Sequence, residues 1–573
     1  MPPSHCHKTR HFFADPVLRR WIFGRLRNRW PVVDGPEVVP HHPPYLDDLP
    51  TAEDEQPRPA GLADMPRAAP QGRVSLRLGT QTVEAEATAL DRLFDHRFDD
   101  AEAMAAAHGF SWVGQADLGP AWIGALWQAW CAQHGDIDED SPAWAPDIAA
   151  ARVAAILDVT RRHGLPGPRA QTLKVLAAHA AFLVTHLDYW GPNATSSSLA
   201  AQGHALYRLG LDLGMEHTAR LGLTIVTEEA KRLVTPSGVL REESSHAHLL
   251  YTRAIVDAWL AARRHDRPEA AALQSLAGHL LSVIPMLTLP GGMPLVGDLL
   301  PGDAPALLAG LRRDAPLDQG WTGTLDAGDR AVFAALRDSR PLADLEDLRA
   351  DGWLRVDLGR WAGLWHAAVG GWPFHPGHGH QDIASFDLHY GNVPVFVDPG
   401  NGAPKAATLY RSAAVHNGLQ LNGRSPYPVS RPFYNEAFRR DIAGPPPLLR
   451  AEFDGASLVF HGFSRLGGPG ECVRGWRFTD TSLVIDDFLK GTGRFELVRR
   501  LVTPLPASLQ EDGTVLLTGP DGLRLIVDGG VPAILGSGNR GTADGGLAPV
   551  QVIEFVSPKA NLPWRGQITV RLV

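Results

Sequence analysis

Between His375 and Asn417 the chain carries its densest set of groups able to do chemistry. The run His375-Pro-Gly-His378-Gly-His380-Gln381-Asp382 is followed by Val397-Asp398-Pro399-Gly400, and then by Tyr410-Arg411-Ser412 and His416-Asn417. Imidazole together with carboxylate is a common ligand set for Zn²⁺, and Mn²⁺ or Ca²⁺ can be held by related donors. His380, Asp398 and His416 are the three residues that suit such an ion. Glycines beside His378 and His380 allow the backbone to bend. Histidines at alternate positions of an extended segment point to opposite sides, so one ring can bind an ion while the other faces a cleft. Any one of these histidines alone is more simply a loop residue satisfied by backbone. Three of them with an Asp-Pro-Gly turn favour a metal centre.

Elements that could position these groups follow from the pattern on either side. After Trp353 the texture is that of strands: 385–390 alternates, 393–397 is β-branched around Pro394, and further strand-like runs fall at 457–463, 482–488, 515–518 and 551–555. Many short strands without helices predict an antiparallel β-sandwich. Before it, from Ala87 to about Arg349, apolar residues recur at helical spacing, for example in 170–186, 199–213, 216–234 and 246–263. Gly/Pro punctuation such as Thr235-Pro236-Ser237-Gly238 separates them. Successive helix pairs predict an α/α array, either a toroid or a superhelix. A single strand is expected at 74–83. Residues 31–72, rich in Pro, Asp and Glu, read as an extended, poorly packed arm. The expected organisation is α+β and multidomain: an N-terminal arm over 1–72, a helical domain over 73–349 and an antiparallel β-sheet domain over 350–573.

Bulk properties narrow the function classes. A chain of 573 residues is too long for one hydrophobic core. Its formal net charge of -9 argues against a general nucleic-acid binder, whereas a local Arg/His cluster can still hold an acidic polysaccharide. Three distant cysteines, Cys6, Cys131 and Cys472, make neither a disulfide framework nor a thiolate metal site. No stretch reads as long and apolar enough to span a bilayer, and no secretory h-region is seen. The expected location is the cytoplasm, or the periplasm or exterior if a leader has been removed.

The stretch from His378 to Asn417 resembles the signature of the heparinase II/III-like polysaccharide lyases. There a His-x-His-x-Asp segment leads through two strands to an Asp-Pro-Gly turn and then to Tyr-Arg-Ser…His-Asn. The resemblance implies an (α/α) toroid followed by antiparallel sheets. It also implies β-elimination on a uronic-acid-containing polysaccharide such as a glycosaminoglycan or alginate. It assigns His378 to the catalytic histidine slot, and His380, Asp398 and His416 to a largely structural divalent metal. The reaction removes the C5 proton of a uronate and breaks the bond from C4 to the glycosidic oxygen. The adjacent carboxylate must therefore be neutralised or hydrogen-bonded, and an acid and a base must lie within reach.

The helical side departs from the family pattern. In Leu240-Arg241-Glu242-Glu243-Ser244-Ser245-His246-Ala247-His248 the family's Tyr slot is held by Ala247. A methyl group transfers no proton. The intact flanks favour an inactivated variant at this position. Upstream, alignment on Leu199 puts Ser197 in the slot of the expected Asn and Ser198 in that of the expected His, although a run of serines is also an ordinary helix cap. Asn193 is an alternative donor to the carboxylate. Tyr251, one turn beyond Ala247, reads as a packed helix tyrosine. Arg241, Glu243, His246, Gln381, Tyr410 and Arg411 are further candidates for substrate binding, arginine because its fork matches carboxylate or sulfate. Trp190 and Trp372 are candidates for stacking on sugars, and Asp382 reads as a turn carboxylate. Two other classes compete: a carbohydrate-binding protein that has lost the chemistry, and a toroid glycoside hydrolase using carboxylates such as Glu242, Glu243 and Asp382.

Overall fold

The computed structural model describes residues 42–49, 55–59, 61–79, 81–98, 100–115, 118–191, 197–300, 303–369, 379–402, 406–427 and 444–573. Its first large region is helical: α1 (Ala101–Gly109), α2 (Pro120–His134), α3 (Pro146–His163), α4 (Arg169–Thr185), α5 (Ser197–Leu213), α6 (Glu216–Leu233), α7 (Ser245–Arg264) and α8 (Ala270–Leu287), then α9 (Ala327–Ser339) and α10 (Leu345–Ala350). Helices α1, α3, α5 and α7 pack on one another in turn and share the wall of one cavity. The intervening helices include α6, which packs on α5, and α8, which packs on α7. Close packing between α5 and α6 depends on glycine: a Cβ on Gly210 would lie 2.3 Å from the Ala219 backbone nitrogen.

Burial favours this arrangement because α5 and α7 are apolar over most of their circumference. Leu199, Leu206, Leu209, Ile255, Val256 and Leu260 are all buried, each contributing roughly 1.5–3 kcal/mol by leaving water. Around Arg208 the charges that enter the interior are paired. Arg208 meets Asp257 and lies 3.5 Å from Asp158, while His204 Nε2 lies 3.0 Å from Asp257.

The second region consists of antiparallel sheets. After a hairpin of β1 (Arg73–Leu78) and β2 (Gln81–Glu86), strands β3 (Trp353–Leu358), β4 (Trp361–His366), β5 (Phe386–Tyr390) and β6 (Val393–Phe396) form one sheet in sequence order. Leu419–Leu421 edges a second sheet against Arg494–Thr503, followed by Leu547–Asn561 and Ala533–Gly541. An eight-stranded sheet runs from Ala507–Leu509 at one edge through Trp564–Leu572, Ser482–Gly491 and Pro469–Thr479 to Leu448–Glu452. One core joins the three sheets, with Trp365, Phe386, Trp476, Ile485, Leu501 and Phe555 inside it. Every residue of β4 is buried, because Val283, Met286 and Leu287 of α8 cover part of this sheet together with Val239. The helical region is thereby joined to the sheets through an apolar contact.

The structure corrects four expectations. The strand expected at 74–83 is a hairpin, Arg73–Leu78 paired with Gln81–Glu86, which turns at Gly79 with φ +59°. The sandwich expected beyond 350 has more than two sheets. The described part of the arm is not poorly packed: Leu46 and Met65 are buried, and the Glu55 carboxylate accepts from the His217 and Thr218 backbone N–H groups. An acidic side chain there satisfies the open donors at the start of α6, which Pro-rich composition does not reveal. Finally, α8 is by length and apolar content sufficient to cross a membrane, contrary to the sequence expectation, and 56% of that window is buried in the fold.

Candidate functional site

A short polar segment ties the start of α7 to the sheets. Ser244 caps the helix by accepting from the Ala247 N–H at 3.0 Å, and its hydroxyl donates to the Asp298 carbonyl at 2.6 Å. Ser245 donates to the Pro294 carbonyl and accepts from the Val296 N–H. These bonds lay residues 294–298 along the helix end. Gly297 (φ +75°) allows the close approach, since a Cβ there would lie 2.5 Å from the Glu243 carbonyl oxygen. Across the junction Gly400 (φ +55°) ends the Asp-Pro-Gly turn, and its Cβ would meet the Leu295 carbonyl at 2.7 Å. The glycine of the motif is thus where the sheet region touches the helical one.

At this contact His380, Asp398 and His416 gather ligand atoms within 4.8 Å of one another, all three residues buried. His380 Nε2 lies 2.7 Å from Asp298 Oδ1, which leaves its Nδ1 buried without a hydrogen-bond partner. His416 Nε2 lies 2.8 Å from the Tyr410 carbonyl, so its Nδ1 faces Asp398 Oδ2 at 2.9 Å. In a neutral ring that bonds in this way, Nδ1 is an acceptor opposite another acceptor. A proton on His416 or a cation among the three residues resolves the conflict. The donor set and the outer carboxylate on His380 fit a divalent ion, since metal-binding imidazoles are usually oriented by a bond from their other nitrogen. Burial raises the Asp398 carboxyl, but the charge and hydrogen bond of His416 outweigh it and hold the group at about 2. Asp398 also accepts from the Ser385 hydroxyl and the Gly400 N–H. Asn417 spans the strands from below, donating to the Phe386 and Val397 carbonyls and accepting from the Val502 N–H.

Asp298 continues from this corner into a cavity of about 360 Å³ walled by α1, α3, α5, α7 and the segment after Asp298. Ser197, Ser198 and Ala247 line it together, with Glu242 and Tyr251. Glu242 accepts the backbone N–H of Ser197 at the start of α5. The positions that the sequence marked on two separate helices therefore share one wall. Tyr251 is buried, as expected of a packed helix tyrosine, yet it also lines the cavity, and its hydroxyl has no hydrogen-bond partner.

Other expected substrate contacts lie elsewhere. Neither ring nitrogen of His246 is open to a ligand: Nε2 bonds to the Asp303 carbonyl and Nδ1 accepts from the Leu300 N–H, and burial lowers its pKa to about 4. The Tyr410 hydroxyl donates to the Asn539 carbonyl and accepts from the Asn539 N–H. These two side chains fasten loops, because a buried polar group is bonded first to the nearest backbone. Arg411 reaches Asp298 at 3.2 Å, and Gln381 accepts from the Tyr427 N–H. Arg241, Glu243, Gln381 and Arg411 are not among the cavity-lining residues, nor is the exposed Trp190. Glu243, with φ +59°, sits beside His366 and Asp382, and burial raises its carboxyl to about 8. Asp382 lies 3.4 Å from His366 and its carbonyl accepts from the Ser385 N–H, in line with its reading as a turn residue. His378, Asn193 and Trp372 lie outside the described residues. Sequence reasoning missed Asp298, Arg162, Arg253 and Trp321, which line the cavity; a lone Asp after Gly297 and arginines at helical spacing gave no distinguishing signal.

Residues 340–551 match a family described as Heparinase II/III-like, C-terminal. Among solved structures, heparinase III is similar at 13% identity and a TM-score of 0.57, over 82% of this chain and 76% of that one. A mutant of the heparan sulfate lyase HepC from Pedobacter heparinus gives 15% identity and a TM-score of 0.52, over 87% and 81%. A second heparinase III gives 16% and 0.53, over 84% and 80%. No curated protein matches. At these identities the likeness is one of fold: a helical region followed by several antiparallel sheets.

Proposed function

We propose, from the match of residues 340–551 to the heparinase II/III-like C-terminal family, that the chain is a polysaccharide lyase of that family whose cleft receives a uronic-acid-containing polysaccharide. A glycosaminoglycan is the first choice of substrate, because a structural neighbour is named as a heparan sulfate lyase; alginate is the second. The observation that carries this reading is the shared cavity wall. Ser197, Ser198 and Ala247 occupy one surface, and Asp298 joins that surface to His380.

In the proposed reaction the uronate carboxylate lies against the start of α5, where the Ser197 and Ser198 hydroxyls donate to it. Each supplies one donor where an amide would supply two. His378 is assigned proton transfer at C5. His380, Asp398 and His416 would hold a divalent ion, whose positive charge would keep the sheet loops docked on the helical region. Asp298 orients His380 and lies 3.2 Å from Arg411. The departing O4 requires a proton that Ala247 cannot give, which makes the chain as it stands an impaired lyase.

A second reading, a carbohydrate-binding protein without chemistry, is favoured by the apolar side chain of Ala247 in the cavity lining. The glycoside hydrolase reading is weaker, since of its three candidate carboxylates Glu243 and Asp382 do not line the cavity and Glu242, which does, accepts the Ser197 N–H. The test is incubation of the protein with a panel of glycosaminoglycans and alginate, reading ultraviolet absorbance and new reducing ends together. Slow growth of both signals is expected. Reducing ends without absorbance would establish hydrolysis, and no binding of any acidic polysaccharide would sink both carbohydrate readings.

A further inference from the structure

The cavity has an inner end that the elimination reaction does not use. Arg253 lies six residues beyond Ala247 on α7, about 9 Å along the axis, and lines the cavity together with Arg162 and Trp321. The Arg253 guanidinium stands 5.6 Å from the Trp321 ring centroid. Its Nε–H is buried without a hydrogen-bond partner, and so is the indole N–H of Trp321. Arg253 gives an NH2 group to Asp158, but its Nε is 3.7 Å from Asp303 Oδ2, beyond hydrogen-bond distance. Arg162 donates through Nε to the Asp158 backbone carbonyl at 3.3 Å, and its charge and that of Arg253 act against each other.

Two arginines and an indole therefore converge with more donors than the protein satisfies. A buried donor left unmade costs about 1–3 kcal/mol, so such a set is poised for an acceptor-rich ligand. The guanidinium fork matches a carboxylate or a sulfate. Arg208, on α5, is held by Asp257, Asp158 and Asp212 and is not among the cavity-lining residues, whereas Arg162, Arg253 and Trp321 are. Two carboxylates stand in the same lining: Asp158, which takes the Arg253 NH2 group, and Asp303, whose carboxyl burial raises from its ordinary value.

We propose that Arg162, Arg253 and Trp321 form an anion subsite at the inner end of the cavity, which takes a carboxylate or sulfate of an acidic oligosaccharide whose neighbouring sugar lies against Ser197, Ser198 and Ala247. This rests on the reading of the cavity as a carbohydrate site. It makes the inner subsite a determinant of charge pattern along the chain of sugars, separate from the reacting ring.

Calorimetric titration of the full chain tests it, using an unsulfated uronate tetrasaccharide, the same tetrasaccharide with its carboxyls reduced to alcohols, and a sulfated one. Arg162→Gln should weaken the acidic ligands roughly tenfold, about the loss of one charge-assisted pair, and leave the reduced ligand unchanged. Trp321→Phe keeps the ring, removes the donor and should weaken the acidic ligands about threefold. A greater loss for the sulfated sugar assigns the subsite to sulfate, and an equal loss assigns it to carboxylate. Should Arg162→Gln fail to fold, as circular dichroism would reveal, Trp321→Phe decides alone. Variants that bind acidic sugars as tightly as the parent overturn the subsite and leave the carbohydrate reading standing. A parent protein that binds none of the three ligands overturns both.

Discussion

The two walls of the cleft are built to different standards. On the sheet side, His380, Asp398, His416 and Asn417 are buried and bonded into a corner in which the donors suit a cation. On the helical side the backbone frame is equally well made, with Ser244 capping α7 and Ser245 stitching it to residues 294–296. At the positions to which the proposed reaction assigns chemistry stand two serines and an alanine. Architecture is held by many mutually dependent bonds and resists change, whereas a proton-transfer group hangs from one side chain and can be lost without disturbing the frame.

The largest effect expected from that contrast is catalytic. Ala247→Tyr places a phenol in the cavity, and a positioned acid is worth about 10²–10⁴ in rate. The unsaturated-product assay should rise by that factor over the parent. Binding without any gain would favour the silent carbohydrate-binding protein.

On the opposite wall the cost should appear as lost stability. His416→Ala removes the imidazole paired with the buried Asp398 carboxylate and leaves it the Ser385 hydroxyl and Gly400 N–H as donors, so denaturant unfolding at neutral pH should show a loss of about 3–5 kcal/mol. A change under about 1 kcal/mol would mean that the corner is not a load shared by charge pairing.

Glu243 sharpens the comparison through pH. Burial raises its carboxyl to about 8 in the fold, so between about pH 4.5 and 8 the folded chain holds a proton that the unfolded chain has released. Its contribution is therefore most favourable at low pH and declines as pH rises through that window. Glu243→Gln should flatten the decline in unfolding free energy from pH 5 to 8, and an unchanged slope would contradict this environment. The smallest expected effect is that of Ser244→Ala, which removes the cap of α7 and should cost about 1 kcal/mol in the same unfolding measurement.

The sheet corner was legible in the sequence because its ligands fall in short motifs whose types and order carry meaning. Gly400 and Asn417 belong to those motifs, and both prove to be structural joints. The helical array was legible from periodicity. Asp298 was not, because a carboxylate in an irregular loop acquires its role only when Ser244 and Ser245 bring that loop to the helix. Arg162 and Arg253 read as ordinary arginines of amphipathic helices, and only the curvature of the array turns them inward. Composition misled for residues 42–72, where proline and acidic residues suggested a loose arm but Glu55 and Tyr45 bond to α6. His246 and Tyr410 were misjudged because sequence cannot show which polar groups the backbone will claim.

Whether the two walls make one site is tested most directly at Asp298, which touches both. Metal content by elemental analysis and affinity for a uronate tetrasaccharide should be measured on one preparation of Asp298→Asn. If the walls form a single site, bound divalent ion falls, metal affinity dropping about 10–100-fold, and tetrasaccharide affinity falls with it. Full metal content with unchanged sugar binding would show that the corner and the cavity are independent.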